Sequence, residues 1–571
     1  MFNFSSLPLP AALVRTLLAL LFLTLHLRAA AQAPSWQSAR AVATATAAAS
    51  GNYSIVTATA VDAAGNVFLA GNFANTVVLG GTTLTSLGNR DVFVVKFNPA
   101  SNQFMWAQRA GGTGNDYADA LTVSGTNVYI AGYFTSSTAG FGPTTLANAG
   151  GDDIFVAKLT DAGSTGSFVW AQRAGGTGDD EANALVVGGT SVYVAGSFSS
   201  FTVGFGTATL TSAGTSDVFV TKLTDAGSSS SFVWAQQAGG TNGDFANALA
   251  VSGTSVYVAG VFASSTADFG TITLTNTNVT SSDVFVAKLT DAGSTGSFAW
   301  AQRAGGTGSD FAIALATNGT SVYVAGGFAS LTAGFGANTL TNAGIYDVFV
   351  AKLTDAGSTG SFVWALRAGG TGSEVANALV VSGNSVYLAG GFDSPTAGFG
   401  TTPLTNMGFS DVFVAKLTDA GSTGSFAWAQ RAGGTGNDAS TALVVSATSV
   451  YVAGYFASST ASFSATTLSN SSPVTNLGFL ASLTDATLTA TTAAVPREAA
   501  TLFPNPARRT ATLRLPAGTT PAPLTLTDAL GRAVRHYPAP TSAEAALDLQ
   551  GLPAGLYLLR GAGPAQRLVL E

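Results

Sequence analysis

Every tryptophan in the chain falls on one beat. Trp36, Trp106, Trp170, Trp234, Trp300, Trp364 and Trp428 are separated by 70, 64, 64, 66, 64 and 64 residues. A fixed period of this length marks tandem copies of one structural unit, and it limits the fold before any other feature is weighed. All six lysines also share one position of the unit: Lys96, Lys158, Lys222, Lys288, Lys352 and Lys416. Each unit holds four short runs rich in Val, Phe, Tyr and Trp, divided by Gly, Ser, Asn and Asp clusters, which is a strand and turn pattern. In one copy these are strand A (Asn183–Val187), B (Val192–Phe198), C (Asp217–Leu223) and D (Phe232–Gln236). Runs such as Val218-Phe219-Val220 are apolar at successive positions, as expected of strands covered on both faces. Helical periodicity is absent, and the 68 glycines would each cost a helix about 1 kcal/mol.

Composition removes whole classes of chemistry. The 571 residues include no Cys, which excludes disulfide scaffolds, thiol nucleophiles and thiolate metal sites. Only two histidines occur, His26 and His536, and neither is in the repeats. No cofactor or metal is expected. Residues 34–496 carry six Lys and seven Arg against 25 acids, a net charge of −12, so nucleic acid and anionic membrane surfaces are poor partners. Residues 1–33 read as a signal peptide: Arg15 precedes the apolar run Leu17-Leu18-Ala19-Leu20-Leu21-Phe22-Leu23, and Ala31-Gln32-Ala33 fits an A-x-A cleavage site. That run is too short for a membrane span, and no other segment is a candidate.

The strand count suggests a topology. Trp36 heads a D strand with no A, B or C before it, and the last A–B–C set, Ala442 to Leu483, has no D strand after it. Pairing the first D strand with the last set gives seven complete sets and removes an exposed sheet edge. Residues 34–485 are therefore expected to form a seven-bladed β-propeller of four-stranded blades, closed on the last blade by the N-terminal strand. The units, with Gly-Gly-Thr-Gly-x-Asp, Val-Tyr-Val-Ala-Gly and Asp-Val-Phe-Val-Ala-Lys-Leu, resemble the bacterial seven-bladed β-propeller repeat family. The resemblance implies a fold and little chemistry. The outer copies depart from it: the first has Ser50-Gly51-Asn52-Tyr53 in place of the glycine-rich loop, and the seventh has Leu477 and Ser482 where others have Asp and Lys.

Strand parity places the D–A loops and the long B–C segments on one face, the candidate binding face, because binding residues concentrate on loops held by a rigid scaffold. The B–C segments repeat one aromatic, Phe141, Phe205, Phe269, Phe335, Phe399 and Phe463. These residues form a stacking surface for sugars or plug each loop onto its sheet. The D–A loop repeats an acid at Asp116, Asp180, Asp244, Asp310 and Asp438, with Glu374 in one copy. These acids face a ligand or cap a tight turn; calcium needs six to eight oxygens, more than one carboxylate per loop supplies. The acids that open strand C, such as Asp217, are expected to bond a neighbouring turn, with the lysine five residues on directed to solvent, since positions five apart lie on opposite strand faces.

The repeats stop at about residue 485. Residues 486–496 read as a linker and 497–571 as a small β-sandwich. In this tail Leu502-Phe503-Pro504-Asn505-Pro506, Asp528-Ala529-Leu530-Gly531-Arg532 and Leu552-Pro553-Ala554-Gly555-Leu556-Tyr557 resemble the C-terminal sorting domain of the type IX secretion system. Pro504, Asn505, Pro506, Gly531, Leu552, Pro553, Gly555 and Tyr557 carry the resemblance. It implies an encounter with type IX secretion machinery through residues 497–571 and a protein secreted from, or held on the outer surface of, a Gram-negative bacterium. Near-identical copies give acids near-identical environments, which disfavours the unlike carboxylate pair of a hydrolase. The expected function is a binding or adhesion module with a glycan or protein ligand on the loop face. The alternative is a polysaccharide-acting enzyme using non-repeated loop acids such as Asp268 or Asp393.

Overall fold

A computed structural model describes residues 33–45, 53–471, 475–488, 501–514, 523–528, 532–542, 544–560 and 566–571. The signal-peptide reading, apart from Ala33, and most of the linker lie outside these residues, as do Gly531 and Asn52. The chain divides into two units, Met1–Ala490 and Thr491–Glu571. Both are all-β, and no helix occurs among the described residues.

The first unit is built of repeated four-stranded antiparallel sheets. In the copy singled out above, strand A is Asp180–Gly188, B is Ser191–Phe198, C is Asp217–Asp225 and D is Ser230–Ala238, hydrogen-bonded in the order A-B-C-D. Each strand extends a few residues beyond the apolar run that announces it. Strand C is buried on both faces, with Val218, Phe219 and Val220 at 0% exposure. It packs between neighbouring repeats: one apolar cluster joins Tyr129, Val156 and Trp170 of one copy to Val194, Phe205 and Phe219 of the next.

Two sequence expectations are corrected. The B–C segment is not a plain loop, because it holds a hairpin of Thr202–Phe205 and Ala208–Thr211. Val203, Phe205 and Leu210 point inward while the threonines between them face out, the period of two that defines a half-buried strand. Gly206, at φ 63° in the tight turn, supplies a left-handed conformation that most residues avoid. The lysines are likewise not solvated. Lys158 is 4% exposed and donates to Asp225 at the end of strand C in the next repeat (2.7 Å). The same carboxylate accepts from Trp170 Nε1 (3.1 Å) and Tyr129 Oη (2.7 Å). This latch recurs as Lys96–Asp161, Lys222–Asp291, Lys288–Asp355, Lys352–Asp419 and Lys416–Asp485. The acids that open strand C do bond a turn, as Asp153 does with the amide of Ala149 (2.7 Å), and Asp153 also holds Arg173 of strand D (2.6 Å).

The front of the chain pairs with the last repeat. Trp36–Ala41 runs antiparallel to Leu477–Thr484, giving the sheet order Trp36–Ala41, Leu477–Thr484, Ser449–Phe456, Asp438–Ser446. Trp36 Nε1 donates to Arg431 O (2.9 Å), and its ring meets Phe463 edge-on with centroids 5.2 Å apart. A further cluster joins Val56, Leu69 and Phe93 of the first repeat to Tyr451, Ala453 and Leu480 of the last.

The second unit has a sheet of Thr501–Phe503, Thr510–Arg514 and Glu544–Asp548. A four-stranded sheet runs in the order Ala533–Tyr537, Leu524–Asp528, Gly555–Arg560, Gln566–Leu570. Leu513 and Leu547 of one sheet share a core with Leu526, Leu559 and Leu568 of the other.

Candidate binding site

The repeated acids are structural in their surroundings. Asp116, Asp180, Asp244, Asp310 and Asp438 open strand A and are at most 1% exposed. Asp180 Oδ2 accepts from Gly176 N (2.7 Å) and Ser200 Oγ (2.6 Å), tying the D–A loop to the turn that follows strand B. Glu374 does the same through Gly370 N (2.7 Å). Burial raises the Asp116, Asp180, Asp244 and Asp310 carboxyls above their ordinary value despite these bonds. Ser54 takes this register position in the first copy, opposite Phe73. Of the two readings given for these acids, their burial and the bonds to their own loop fit the turn cap rather than contact with a ligand. Of the two readings of the repeated aromatic, burial fits the plug that holds each loop onto its sheet. Phe141, Phe205, Phe269, Phe335 and Phe399 are at most 1% exposed, and Phe205 packs on Phe219 and Phe232 with centroids 5.0 and 5.6 Å away. Asp268 accepts from Thr273 Oγ1 within its own hairpin (2.6 Å), and Asp393 accepts from the Ser373 amide, tying the D–A loop to the turn after strand B.

The copies differ elsewhere. Each strand A carries a bulge, and the bulged residue is Thr57, Asp119, Asn183, Asn247, Ile313, Asn377 or Thr441. A bulge re-aims one side chain out of the ladder. Here it reaches the neighbouring repeat: Asn183 Nδ2 donates to Ala246 O (3.0 Å), Asn247 to Ala312 O (2.8 Å) and Asn377 to Ser440 O (2.9 Å). Thr57 and Thr441 donate in the same fashion to Ala118 O and Val56 O. Asp119 Oδ2 makes no such bond and a hydrocarbon has none to give, so Asp119 and Ile313 break the rule.

Both exceptions line one cavity of about 560 Å³, together with Asn183, Asn247, Val261, Ser282, Ser309, Phe311 and Tyr346. Asp119 Oδ2 is shut off from solvent and has no hydrogen-bond partner among the described residues. Burial first, and the charge of Glu181 second, push its carboxyl up to about 7. Glu181 is itself raised by burial and by Asp152 and Asp179. Phe311 and Tyr346 meet with centroids 5.4 Å apart and form an apolar wall. In the copies next to Asp119, the Arg90 guanidinium lies 4.3 Å from the Tyr53 ring centroid and donates to Tyr117 Oη (3.2 Å), while Tyr117 stacks on Tyr133 at 4.9 Å. Asp119, Phe311, Ile313 and Tyr346 were not among the sequence candidates. The signal lay in the columns of the repeat where copies disagree.

Within the second unit, Asn505 holds the last strand through Nδ2 to Arg567 O (2.7 Å) and by accepting from Val569 N (2.8 Å). Pro504 and Pro506 flank it. Tyr557 Oη donates to Pro553 O (2.6 Å), Leu552 N donates to Leu549 O (3.3 Å), and Gly555 begins the strand that pairs with Leu570. Residues 501–568 match the family described as the secretion system C-terminal sorting domain. The tail is a type IX sorting domain. It implies interaction with the type IX machinery and directs the chain to the cell surface or extracellular space. No helix of the described residues is long and apolar enough to cross a membrane.

No curated protein matches the chain. Among solved structures, a protein from Lactobacillus plantarum is 13% identical, with 68% of this chain and 90% of that one covered and a TM-score of 0.37. A protein of unknown function from Dyadobacter fermentans is 12% identical, with 79% and 100% covered and a TM-score of 0.32.

Proposed function

We propose that residues 34–485 close into a seven-bladed β-propeller, exported by the type IX system, that serves as a binding or adhesion module at the cell surface or outside the cell. Closure is supported by the pairing of Trp36–Ala41 with Leu477–Thr484 and by the contact between Thr441 and Val56, which brings the first and last copies of strand A together. The observation that carries the binding role is the cavity at strand A. It is lined by residues that differ between copies, whereas the buried scaffold around it repeats nearly unchanged. Ligand pockets of 300–1,000 Å³ with apolar walls and a few polar groups are the common form of a binding site. Single exposed apolar residues on the B–C segments, Phe201, Leu331, Met407 and Phe409, add contact points suited to a protein or glycan surface.

The test is a glycan array and a peptide array probed with the labelled full chain. Saturable binding without product release, lost when Phe311 and Tyr346 are both changed to Ala, is the expected result. Product release that disappears in Asp268→Asn or Asp393→Asn would instead support the polysaccharide-acting enzyme.

A further inference from the structure

Asp119 sits where the repeat calls for a donor. In five copies the bulged side chain gives a hydrogen bond to the next strand A, and that bond helps seal one repeat to its neighbour. A carboxylate there gives up the bond and buries a negative charge. Removing a carboxylate from water without a partner is among the costliest arrangements a protein holds. Among the described residues no Lys or Arg lines the cavity, and Arg90 is engaged by Tyr53 and Tyr117. Glu181 adds a second acid on the adjoining strand A. The other exception to the donor rule, Ile313, replaces a polar side chain with a hydrocarbon, and Phe311, Val261 and Tyr346 continue that apolar wall.

From this pairing we infer that the cavity binds a ligand with a protonated amine on an aromatic or branched apolar body, the ammonium on Asp119 and the body against Phe311 and Ile313. This deepens the binding role proposed above and rests on it. An ammonium on the cavity side of the Asp119 carboxylate supplies the donors and the positive charge that this group lacks. Asn183, Asn247, Ser282 and Ser309 offer neutral polar atoms between the two ends. A divalent metal is a worse occupant: among the described residues no group of three His, Asp or Glu side chains is arranged to hold one, and calcium takes six to eight oxygens.

Isothermal titration of the full chain with 2-phenylethylamine, 2-phenylethanol and 3-phenylpropionate, at mildly alkaline pH, tests the inference. These three probes share a body and differ in the head group. The amine is expected to bind at least tenfold more tightly than the alcohol, and the carboxylate not at all. Asp119→Asn, nearly isosteric, is expected to remove the advantage of the amine and bring it to the affinity of the alcohol. Phe311→Ala is expected to weaken amine and alcohol alike. Equal binding of amine and alcohol, indifference to Asp119→Asn, or no amine binding up to millimolar concentration overturns the inference. If arrays then reveal a neutral glycan or an acidic peptide whose binding still needs Phe311 and Tyr346, the binding role stands and only the ammonium assignment falls.

Discussion

The inter-repeat latch can be broken at Asp291. Its Oδ2 accepts from Lys222 Nζ and Tyr193 Oη, each at 2.6 Å, and its Oδ1 accepts from Trp234 Nε1 and Gly293 N, each at 3.0 Å. The Lys222 and Asp291 side chains are 8% and 7% exposed, so the pair is screened little by solvent. Removing one partner of a buried ion pair costs about 3–5 kcal/mol, because the survivor remains as an uncompensated charge. Asp291→Ala also strips the Tyr193 hydroxyl and Trp234 indole of their acceptor, at about 1–3 kcal/mol each where water cannot enter. A loss of at least about 5 kcal/mol follows. Lys222→Met leaves three donors on Asp291 and should cost less, about 3 kcal/mol. The double variant should fall short of the sum by about 2 kcal/mol, since neighbours in one network couple. Native-state hydrogen exchange on strands Asp217–Asp225 and Asp283–Asp291 reads these losses locally, which suits a repeat array that unfolds in parts. A cost below about 1 kcal/mol for Asp291→Ala, or a coupling below about 0.5 kcal/mol, would refute the latch.

Four further expectations follow from the same contacts. Burial by itself would raise the latch acids, but the bonds from Lys, Tyr and Trp outweigh it and hold Asp225, Asp291 and Asp419 below their ordinary value and Asp355 at about 2, while Lys416, Thr487 and Tyr387 hold Asp485 at about 2. A depressed folded pKa stabilises above the unfolded value, so this contribution should be lost as pH falls from about 4 toward 2, read as a drop in melting temperature. Asp119 runs the other way: its folded value, raised to about 7, gives stability that is present below about 4 and lost as pH rises through 7. Asp119→Asn should therefore gain on the parent chain between those limits, and a flat difference across that range contradicts the burial of its charge. Ser200→Ala removes the 2.6 Å bond to Asp180 and the one accepted from Gly178 N (2.9 Å), and should cost about 1–3 kcal/mol, with faster exchange confined to the Gly176–Asp180 loop. Ile313→Asn restores the repeat pattern and should add about 0.5–1.5 kcal/mol through a bond to the next strand A, visible as a higher melting temperature.

The repeat beat and the apolar strand C make the sheet architecture legible, since Trp170 and Val218-Phe219-Val220 need cover on every side. The hairpin of Thr202–Phe205 and Ala208–Thr211 was harder to see, because four-residue strands rich in Thr carry too few alternations to stand apart from a loop. The latch is hidden for a different reason. Lys158 and its partner Asp225 are 67 residues apart, and when copies are nearly identical nothing in the sequence tells a bond within a unit from a bond to the next. The cavity is hard to read from the sequence because its distinguishing residues are the ones that do not repeat. Phe205 and Asp180 recur in most copies and are internal supports, whereas Asp119 and Ile313, which break a column of Asn and Thr, line the cavity.

Joining the two ends of the repeat region is the claim on which the arrangement rests, and the absence of native cysteine allows a clean test. Ser38 and Ser482 are direct partners in the antiparallel pair, with hydroxyl oxygens 2.8 Å apart. A chain carrying Ser38→Cys and Ser482→Cys should form one intramolecular disulfide under mild oxidation, since paired residues of adjacent antiparallel strands lie within disulfide reach. The expected result is a monomer of altered mobility on non-reducing gels, with the cross-linked peptide found by mass spectrometry and a raised melting temperature. Free thiols, or disulfide-linked dimers in place of the closed monomer, would contradict it.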